Sequence, residues 1–257
     1  GVANNNILSI DKGARVHFHS NSGIIVTSGG SIQVNGEYSQ DQETLENEVI
    51  FEGDRLESSF ENIPGQWGTI WLFSGSVNNI INYSTIKNST IGIYTEDQLN
   101  TNNNQLIINN SKIYNSSNFG IFAKSSSVTA SNLVINKSGQ SSFAATYGGE
   151  YDLTHCTITN FWNNSFRQFP SLLITNYWID SDGEILNNSN LSFNITNSII
   201  SGNENIEFLV EQYDDTNLNF KFKNCMIKFN DFNDIFTGQG NYNFSNLEKY
   251  ENIFLNL

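Results

Sequence analysis

Positive charge is scarce in this sequence. The 257 residues include 12 Lys and Arg against 26 Asp and Glu, so the formal net charge is -14. Nucleic-acid binding needs clustered cations that neutralise phosphates, and anionic membrane surfaces attract the same clusters. The composition therefore predicts neither a nucleic-acid partner nor an anionic membrane partner.

Long apolar runs are also missing. No stretch approaches the ~20 consecutive apolar residues that a membrane-spanning helix needs, so no transmembrane segment is predicted. Hydrophobic residues still make up 38% of the chain and charged residues 15%, which is too hydrophobic a composition for a disordered protein. Asn- and Ser-rich turns between aromatic and β-branched segments indicate an all-β core.

What the sequence does contain is a short segment that occurs three times between Leu106 and Asn160. The copies begin at Leu106, Val128 and Tyr151, and each alternates in side-chain character before it reaches an aliphatic residue, here called an anchor. Alternation with a period of two predicts β-strands. Asn at a fixed distance after the anchor predicts a turn that can require left-handed backbone.

The anchors recur along most of the chain, spaced 27, 21, 24, 42 and 27 residues apart. They are Ile86, Ile113, Val134, Ile158, Ile200 and Ile227. Two residues after the first five anchors, Asn or Gly forms a predicted structural ladder of Asn88, Asn115, Asn136, Asn160 and Gly202. A period in the twenties with strand character is typical of a solenoid.

Further strands are predicted outside the anchor segments. Early strands are expected at 7–10, 15–18, 23–26, 31–34 and 49–51, and second strands of the coils at 92–95, 120–123, 143–146, 206–210 and 235–237. At least two short strands per coil predict a parallel β-helix. A leucine-rich repeat would need recurrent Leu in a pattern that is absent here, and a propeller would need longer blades.

The sequence predicts one domain, 1–257, with coils of about 21–27 residues. We divide it into N-terminal coils (1–72), regular coils (73–160), an insertion-bearing coil (161–190) and C-terminal coils (191–257). The anchor step of 42 residues marks the insertion, in which 171–174 is expected to be a strand and 176–185 a protruding hairpin or loop.

The two cysteines are predicted to be free thiols that point mostly inward. Cys156 and Cys225 both lie two residues before an anchor, and Ser198 holds the same place in the coil between them. Two coils separate equivalent residues by roughly 9–10 Å, whereas a disulfide needs Cα atoms within about 7 Å.

The insertion is the predicted ligand-binding surface, because it concentrates aromatic side chains beside an arginine and several acids. Aromatic faces stack on sugar rings. The predicted ligand-binding residues are Trp162, Arg167, Tyr177, Trp178, Asp180 and Asp182. Trp67 could be a sugar platform as well, but packing over the end of the stack is the preferred interpretation.

No metal site and no cofactor are predicted, although calcium stays an alternative. The segment 180–184 alternates carboxylates as a calcium loop does, but the later bidentate Glu is absent at the required spacing. An acidic turn is therefore preferred. His17 and His19 share one face of a strand without an acid or cysteine at metal-site spacing, so they are interpreted as an outward-facing pair.

No catalytic residue is predicted either. Glycoside hydrolysis needs two carboxylates roughly 5–10 Å apart beside a cleft, but the strand positions of the repeat carry Thr, Ala, Tyr and Phe. Lyase chemistry needs a base and a stabilising cation, and Arg167 is the one arginine of the repeat region. A G-x-S-x-G nucleophile motif is absent.

Five segments carry a resemblance to known proteins: 13–19, 51–56, 63–70, 151–162 and 170–177. With them the chain resembles right-handed parallel β-helix proteins of the pectin-lyase-like class and, more narrowly, secreted surface lipoproteins of Gram-negative bacteria. The resemblance implies secretion and lipid anchoring through a removed N-terminal segment, and it implies no particular activity. The acidic motifs of polygalacturonases and pectate lyases are not matched.

Three functions remain open from the sequence. The preferred hypothesis is a non-catalytic scaffold on the cell surface that binds a glycan or a protein through the insertion. The second is a polysaccharide lyase or glycoside hydrolase with a groove along the strands. The third is a structural spacer within a larger surface protein.

Overall fold

The computed structural model describes residues 1–97, 105–179, 182–186, 189–213, 217–236 and 238–256, with the side chains of all of these except Trp178 and Leu186. Within these ranges the regular structure is strand, apart from two 3-10 turns at Ser58–Phe60 and Gly240–Tyr242. Among the described residues there is no helix that could span a membrane.

In chain order the strands are β1 (Ile7–Asp11), β2 (Arg15–Phe18), β3 (Ile24–Val26), β4 (Ser31–Asn35), β5 (Val49–Gly53), β6 (Ile70–Leu72), β7 (Asn79–Asn82), β8 (Ser84–Lys87), β9 (Ile93–Glu96), β10 (Leu106–Ser116), β11 (Ile121–Ser138), β12 (Phe143–Thr154), β13 (Thr157–Asn160), β14 (Leu172–Thr175), β15 (Trp178–Ile179), β16 (Ile185–Leu186), β17 (Leu191–Thr196), β18 (Ile199–Gly202), β19 (Phe208–Glu211), β20 (Leu218–Lys223), β21 (Met226–Ile227), β22 (Tyr250–Glu251) and β23 (Phe254–Leu255).

The strands wind into a right-handed parallel β-helix with three faces, which confirms the predicted fold class. β1, β4, β7, β17, β20 and β22 form the first face, and β2, β5, β8, β13, β18, β21 and β23 form the second. β3, β6, β9, β14 and β19 form the third. The long strands β10, β11 and β12 bend around corners and contribute to more than one face.

The anchors form the inward-facing column of the second face. Ile86, Ile113, Ile158, Ile200 and Ile227 are all completely buried. Because each strand pairs with its equivalent one coil away, side chains of the same type stack in the interior and remove their apolar surface from water together. Five of the six predicted anchors are thus confirmed.

The prediction that Val134 is an anchor is wrong by one residue. Ile113 pairs with Ile135, and Val134 lies beside Lys112 on the outer surface, where 40% of it is exposed. Leu133, Val134 and Ile135 are consecutive aliphatic residues, so hydrophobicity alone could not show which of them points inward. With Ile135 as the anchor, the two steps on either side become 22 and 23 residues.

The predicted ladder after the anchors has left-handed backbone only in its first two members. Asn88 and Asn115 have φ of 62° and 60°, and the Asn115 amide donates to Oδ1 of Asn88 at 2.6 Å. Asn136, Asn160 and Gly202 do not have a positive φ. Asn160 is instead fully buried. Its amide oxygen accepts a hydrogen bond from the Ser138 N–H, and its amide nitrogen donates one to the Ser138 carbonyl.

The ladder with uniform left-handed geometry lies three residues before the anchors, at the corner between the first and second faces. Its φ values fall between 45° and 55°, and its members are Tyr83, Asn110, Asn132, His155, Asn197, Asn224 and Asn252. Side-chain hydrogen bonds run along it, such as Asn132 to Asn110 at 2.8 Å and Asn224 to Asn197 at 2.9 Å. Asn tolerates this backbone better than other residues with a side chain.

Most predicted second strands are present, but the last one is not. Ile235 and Phe236 lie in a turn whose backbone N–H groups donate to the Asp231 carboxylate, and Thr237 lies outside the described residues. Phe236 packs edge-on against Tyr242 in an aromatic cluster of the C-terminal coils. In the insertion, β15 and β16 pair antiparallel, which confirms the predicted hairpin.

Both cysteines are free and buried, as predicted. Ser198 lies between them in the stack, and its hydroxyl accepts a hydrogen bond from the Cys156 N–H at 2.9 Å. Burial raises the pKa of the Cys156 thiol to about 11 and also raises the pKa of Cys225.

We therefore expect neither thiol to react readily in the native protein, since the thiolate is the reactive form. At pH 8 an aromatic disulfide reagent should label the native chain at least about 100-fold more slowly than the urea-unfolded chain. Two thiols per chain should appear on unfolding, and Cys156→Ala/Cys225→Ala should give none. Rapid labelling of the native chain would contradict the burial of this column.

Candidate functional site

Trp162, the first predicted binding residue, does not form a surface. Its residual exposure is 5%, and its indole N–H donates to the Ser165 hydroxyl at 3.0 Å. The ring packs close to Gly139, where an added Cβ would lie 3.3 Å from it. A buried ring cannot stack on a sugar, so Trp162 fixes the start of the insertion against the coil.

Arg167 is also buried. Its guanidinium forms two hydrogen bonds with the Glu207 carboxylate, at 2.6 and 2.9 Å, and the two side chains are 1% and 0% exposed. Glu207 accepts further hydrogen bonds from the Ser171 N–H and hydroxyl at 2.8 and 2.6 Å. This ion pair connects the insertion to the residue directly before β19. Arg167 is therefore not an accessible cation for lyase chemistry.

The remaining predicted binding residues lie further along the insertion. Tyr177 is half-buried, donates to Glu211 at 2.7 Å, and lines a cavity of about 180 Å³ with Phe169, Leu173 and Ile179. Asp182 is exposed. Asp180 and the side chain of Trp178 lie outside the described residues, and so does Ser181 of the suggested calcium loop.

Trp67 is buried, as the packing interpretation predicted, but it lies inside the core and not over the end of the stack, with its ring centroid 4.2 Å from that of Phe18. His17 and His19 face outward, but each has a carboxylate partner that the sequence did not indicate. His17 lies 3.6 Å from Glu52, and His19 contacts Asp54. Glu52 lies on the neighbouring strand β5 and Asp54 directly follows it, each 35 residues from its histidine. Among the described residues, no three His, Cys, Asp or Glu side chains are arranged to hold a metal ion.

The third face carries an outward column of stacked aromatic rings. Trp71, Tyr94 and Phe122 lie on successive coils with neighbouring centroids 5.2 Å apart. The Trp71 indole and the Tyr94 hydroxyl both donate to Glu96, and burial together with this carboxylate raises the pKa of Tyr94. Rings stacked on each other cover their own faces, so the column stabilises the coils and offers mainly edges to a ligand.

A polar groove lies at the corner between the third and first faces. It consists of two adjoining cavities of about 360 and 240 Å³ that share Ser127 and Glu150. Hydroxyls, amides and carboxylates line it, from Asp97, Ser125, Ser126, Ser127, Thr129, Glu150, Asp152, Ser189, Asn190, Ser192 and Asn194. This groove is the candidate functional site.

Local backbone features form the corner beneath the groove. β11 shifts register between Lys124 and Ser126, and Ser125 has a φ of 50°. Opposite it, Gly149 has a φ of 108°, and a Cβ there would lie 2.2 Å from the Ser126 carbonyl oxygen. The two strands can approach this closely only because residue 149 has no side chain.

Buried hydrogen bonds stabilise the residues beneath the groove. The Ser126 hydroxyl donates to Oε1 of Gln105 at 2.7 Å and lies 2.8 Å from the Thr95 hydroxyl. The Tyr151 ring lies in the core, and its hydroxyl donates to the Gly148 carbonyl at 2.9 Å. Fully paired polar groups in a buried network rigidify their surroundings, so the groove is a preformed surface.

Glu150 and Asp152 are the exposed carboxylates of the groove. They point outward from β12 because Tyr151 and Leu153 between and beside them point into the core. Neither carboxylate makes a hydrogen bond or ion pair with any residue that the structure describes. Their neighbours in register carry hydroxyls or an amide: Ser127 and Thr129 on β11, and Ser192 and Asn194 on β17.

Ser125 adds a third polar group without an internal hydrogen-bond partner in the described part of the chain. It is 7% exposed and lines the groove. The Ser125 hydroxyl oxygen is not fully enclosed, so it is available in the groove to hydrogen-bond with water or with a ligand.

The sequence contained a signal for part of this site. Asp152 lies in the third copy of the repeat, where Tyr151 and Leu153 alternate with it, so its outward direction follows from the pattern. The groove itself could not be read from the pattern, because its residues come from coils more than 20 residues apart and meet only at a corner.

The fold and the groove define a parallel β-helix protein with a polar lateral cleft. No protein-family model matches the sequence, and no curated protein matches it. The A-module of the Azotobacter vinelandii mannuronan C-5 epimerase AlgE6 is similar in structure, with 12% identity and a TM-score of 0.43 over 97% of this chain and 56% of that one.

The catalytic unit of the thermostable GH87 alpha-1,3-glucanase from Streptomyces thermodiastaticus strain HF3-3 is similar as well. It has 10% identity and a TM-score of 0.32, over 86% of this chain and 57% of that one. This chain thus spans little more than half the length of either protein.

Proposed function

We propose that this protein binds a polysaccharide in the polar groove. The supporting observation is the set of outward hydroxyl, amide and carboxylate side chains that three successive coils place side by side. Sugar hydroxyls both donate and accept hydrogen bonds, and this lining offers both kinds of partner. The proposal moves the binding site from the insertion to the groove, because Trp162 and the Arg167 guanidinium are buried.

Carboxylates are expected to contribute most of the polar affinity, because hydrogen bonds to charged groups are stronger than those between neutral groups. Glu150 and Asp152 have no internal partner among the described residues that a ligand would have to displace. Their loss should therefore affect binding far more than folding, and binding and stability can be measured separately.

We expect Glu150→Ala/Asp152→Ala to weaken binding of a glycan ligand at least about tenfold, which corresponds to roughly 1.4 kcal/mol. Isothermal titration with a panel of oligosaccharides would measure this effect, after a glycan array has identified a ligand. The double variant Glu43→Ala/Glu204→Ala removes two exposed acids elsewhere and should bind normally. An array without hits, or equal affinities for both double variants, would exclude the groove as a glycan site.

Hydrolysis of the bound glycan is a second candidate, favoured by the spacing of the two carboxylates. Residues two apart on a strand are separated by roughly 7 Å, within the range that glycosidases use. If the protein is a hydrolase, reducing ends should accumulate with the bound glycan, and Glu150→Gln should stop this while binding persists. Binding without any release of reducing ends would show that the protein binds the glycan but does not hydrolyse it.

We also propose that the protein acts outside the cell, attached through a lipid. The support is the resemblance of its segments to secreted surface lipoproteins, and an extracellular polysaccharide ligand would fit this location. Protease treatment of intact cells should then remove the protein, whereas a cytoplasmic marker should survive.

A further inference from the structure

We infer that the polar groove prefers glycans that carry protonated amino groups to polyuronates. This preference rests on the proposed glycan binding, because it specifies the chemical class of ligand for the same groove.

Charge in the groove has one sign. Glu150 and Asp152 point outward from the same strand, roughly 7 Å apart, and both are exposed. The side chains beside them on β11 and β17 are neutral. The next outward residue in register after Asn194 is Lys221, whose ammonium is already 2.9 Å from Glu251. Among the described residues, neither Glu150 nor Asp152 forms an ion pair with a cationic side chain.

Like charges at this spacing repel each other, and a ligand ammonium between them would relieve the repulsion. At about 4 Å from each carboxylate it would gain two favourable Coulomb interactions. An amine also presents three N–H donors, whereas the carboxylates are acceptors only. The groove thus matches a protonated amino sugar in charge and in hydrogen-bond polarity.

Ser125 is an independent polar contact that the groove offers to a ligand. Its hydroxyl is 7% exposed and unpartnered among the described residues, and it lines the larger cavity together with Glu150. The oxygen can accept a hydrogen bond from a ligand amine or hydroxyl.

Polyuronates are disfavoured by the same electrostatics. Each uronate unit would bring another carboxylate into a groove with unpaired acids, on a chain with a formal net charge of -14. At 0.1 M salt the Debye length is about 10 Å, so the repulsion acts across the whole groove.

The test compares three oligomers of equal length: glucosamine, N-acetylglucosamine and a uronic acid. In 20 mM salt we expect the glucosamine oligomer to bind at least about tenfold more tightly than the acetylated one, or roughly 1.4 kcal/mol. The uronic acid oligomer should bind most weakly. In 1 M salt, where the Debye length is about 3 Å, the preference should largely disappear.

Glu150→Gln/Asp152→Asn removes the charges but keeps the shape, so it should abolish the preference and retain binding of the acetylated oligomer. Glu43→Gln/Glu204→Gln should keep the preference. Equal binding of charged and acetylated oligomers by the native protein would overturn the inference and leave glycan binding intact. Tightest binding of the uronic acid oligomer, with or without added calcium, would overturn it as well. Binding of no glycan would overturn both the inference and the proposed function.

Discussion

Replacing Arg167 by Met is expected to lower the free energy of unfolding by about 3–5 kcal/mol. The substitution leaves the Glu207 carboxylate fully buried without the guanidinium that binds it at 2.6 and 2.9 Å. An uncompensated charge in the interior has no water to solvate it. Urea unfolding followed by tryptophan fluorescence would measure the loss.

The double variant Arg167→Met/Glu207→Gln is the matched control. It removes the charge as well as its partner, and the amide oxygen can still accept the hydrogen bonds from Ser171. We expect it to recover at least about half of the stability lost in the single variant, since a neutral amide is less costly to bury than a carboxylate. A single variant as stable as the native protein would contradict the buried ion pair.

Replacing Ile135 by Ala is expected to cost about 2–5 kcal/mol, because it opens a cavity at a completely buried anchor. Val134→Ala, one residue earlier, should change stability by no more than about 0.5 kcal/mol, since Val134 is 40% exposed on the outer surface. The pair tests the register of β11 directly. Thermal unfolding should rank the two variants in this order.

The opposite order would restore Val134 as the anchor and shift the whole coil by one residue. The ladder would then move as well, because Asn132 owes its place beside Asn110 to the pairing of Ile113 with Ile135. A one-residue slip in a strand exchanges its inner and outer surfaces, so the two substitutions separate the alternatives sharply.

Much of the fold could be predicted because a solenoid repeats local information. The period of the anchors, the alternation around them and the place of Cys156 and Cys225 are all properties of short segments. Stacking of equivalent residues then follows from the pairing of each strand with the next coil. Two predictions were wrong where the local pattern was ambiguous. The register of β11 was misassigned by one residue, because that segment contains three consecutive aliphatic residues. The last predicted strand is a turn at 235–236, where backbone N–H groups donate to the Asp231 carboxylate.

The site could not be predicted in the same way. Aromatic density and a lone arginine in the insertion suggested an exposed surface. In the fold, Arg167 is instead buried in an ion pair with Glu207, which lies 40 residues away in the sequence. The groove is formed by residues of three coils, among them Ser125, Gly149 and Asn194. It also depends on a register shift in β11 that the residue types do not predict.

Period, alternation and charge are local and additive, so the order of residues is enough to predict a parallel β-helix with an aliphatic interior, free buried thiols and an acidic surface. Which polar side chains are accessible follows only from the folded arrangement of the coils. Pairing across coils buries Arg167 against Glu207 and leaves Glu150 and Asp152 without a partner in the described coils, and whether a charge is paired depends on neighbours that are close in space but distant in the chain.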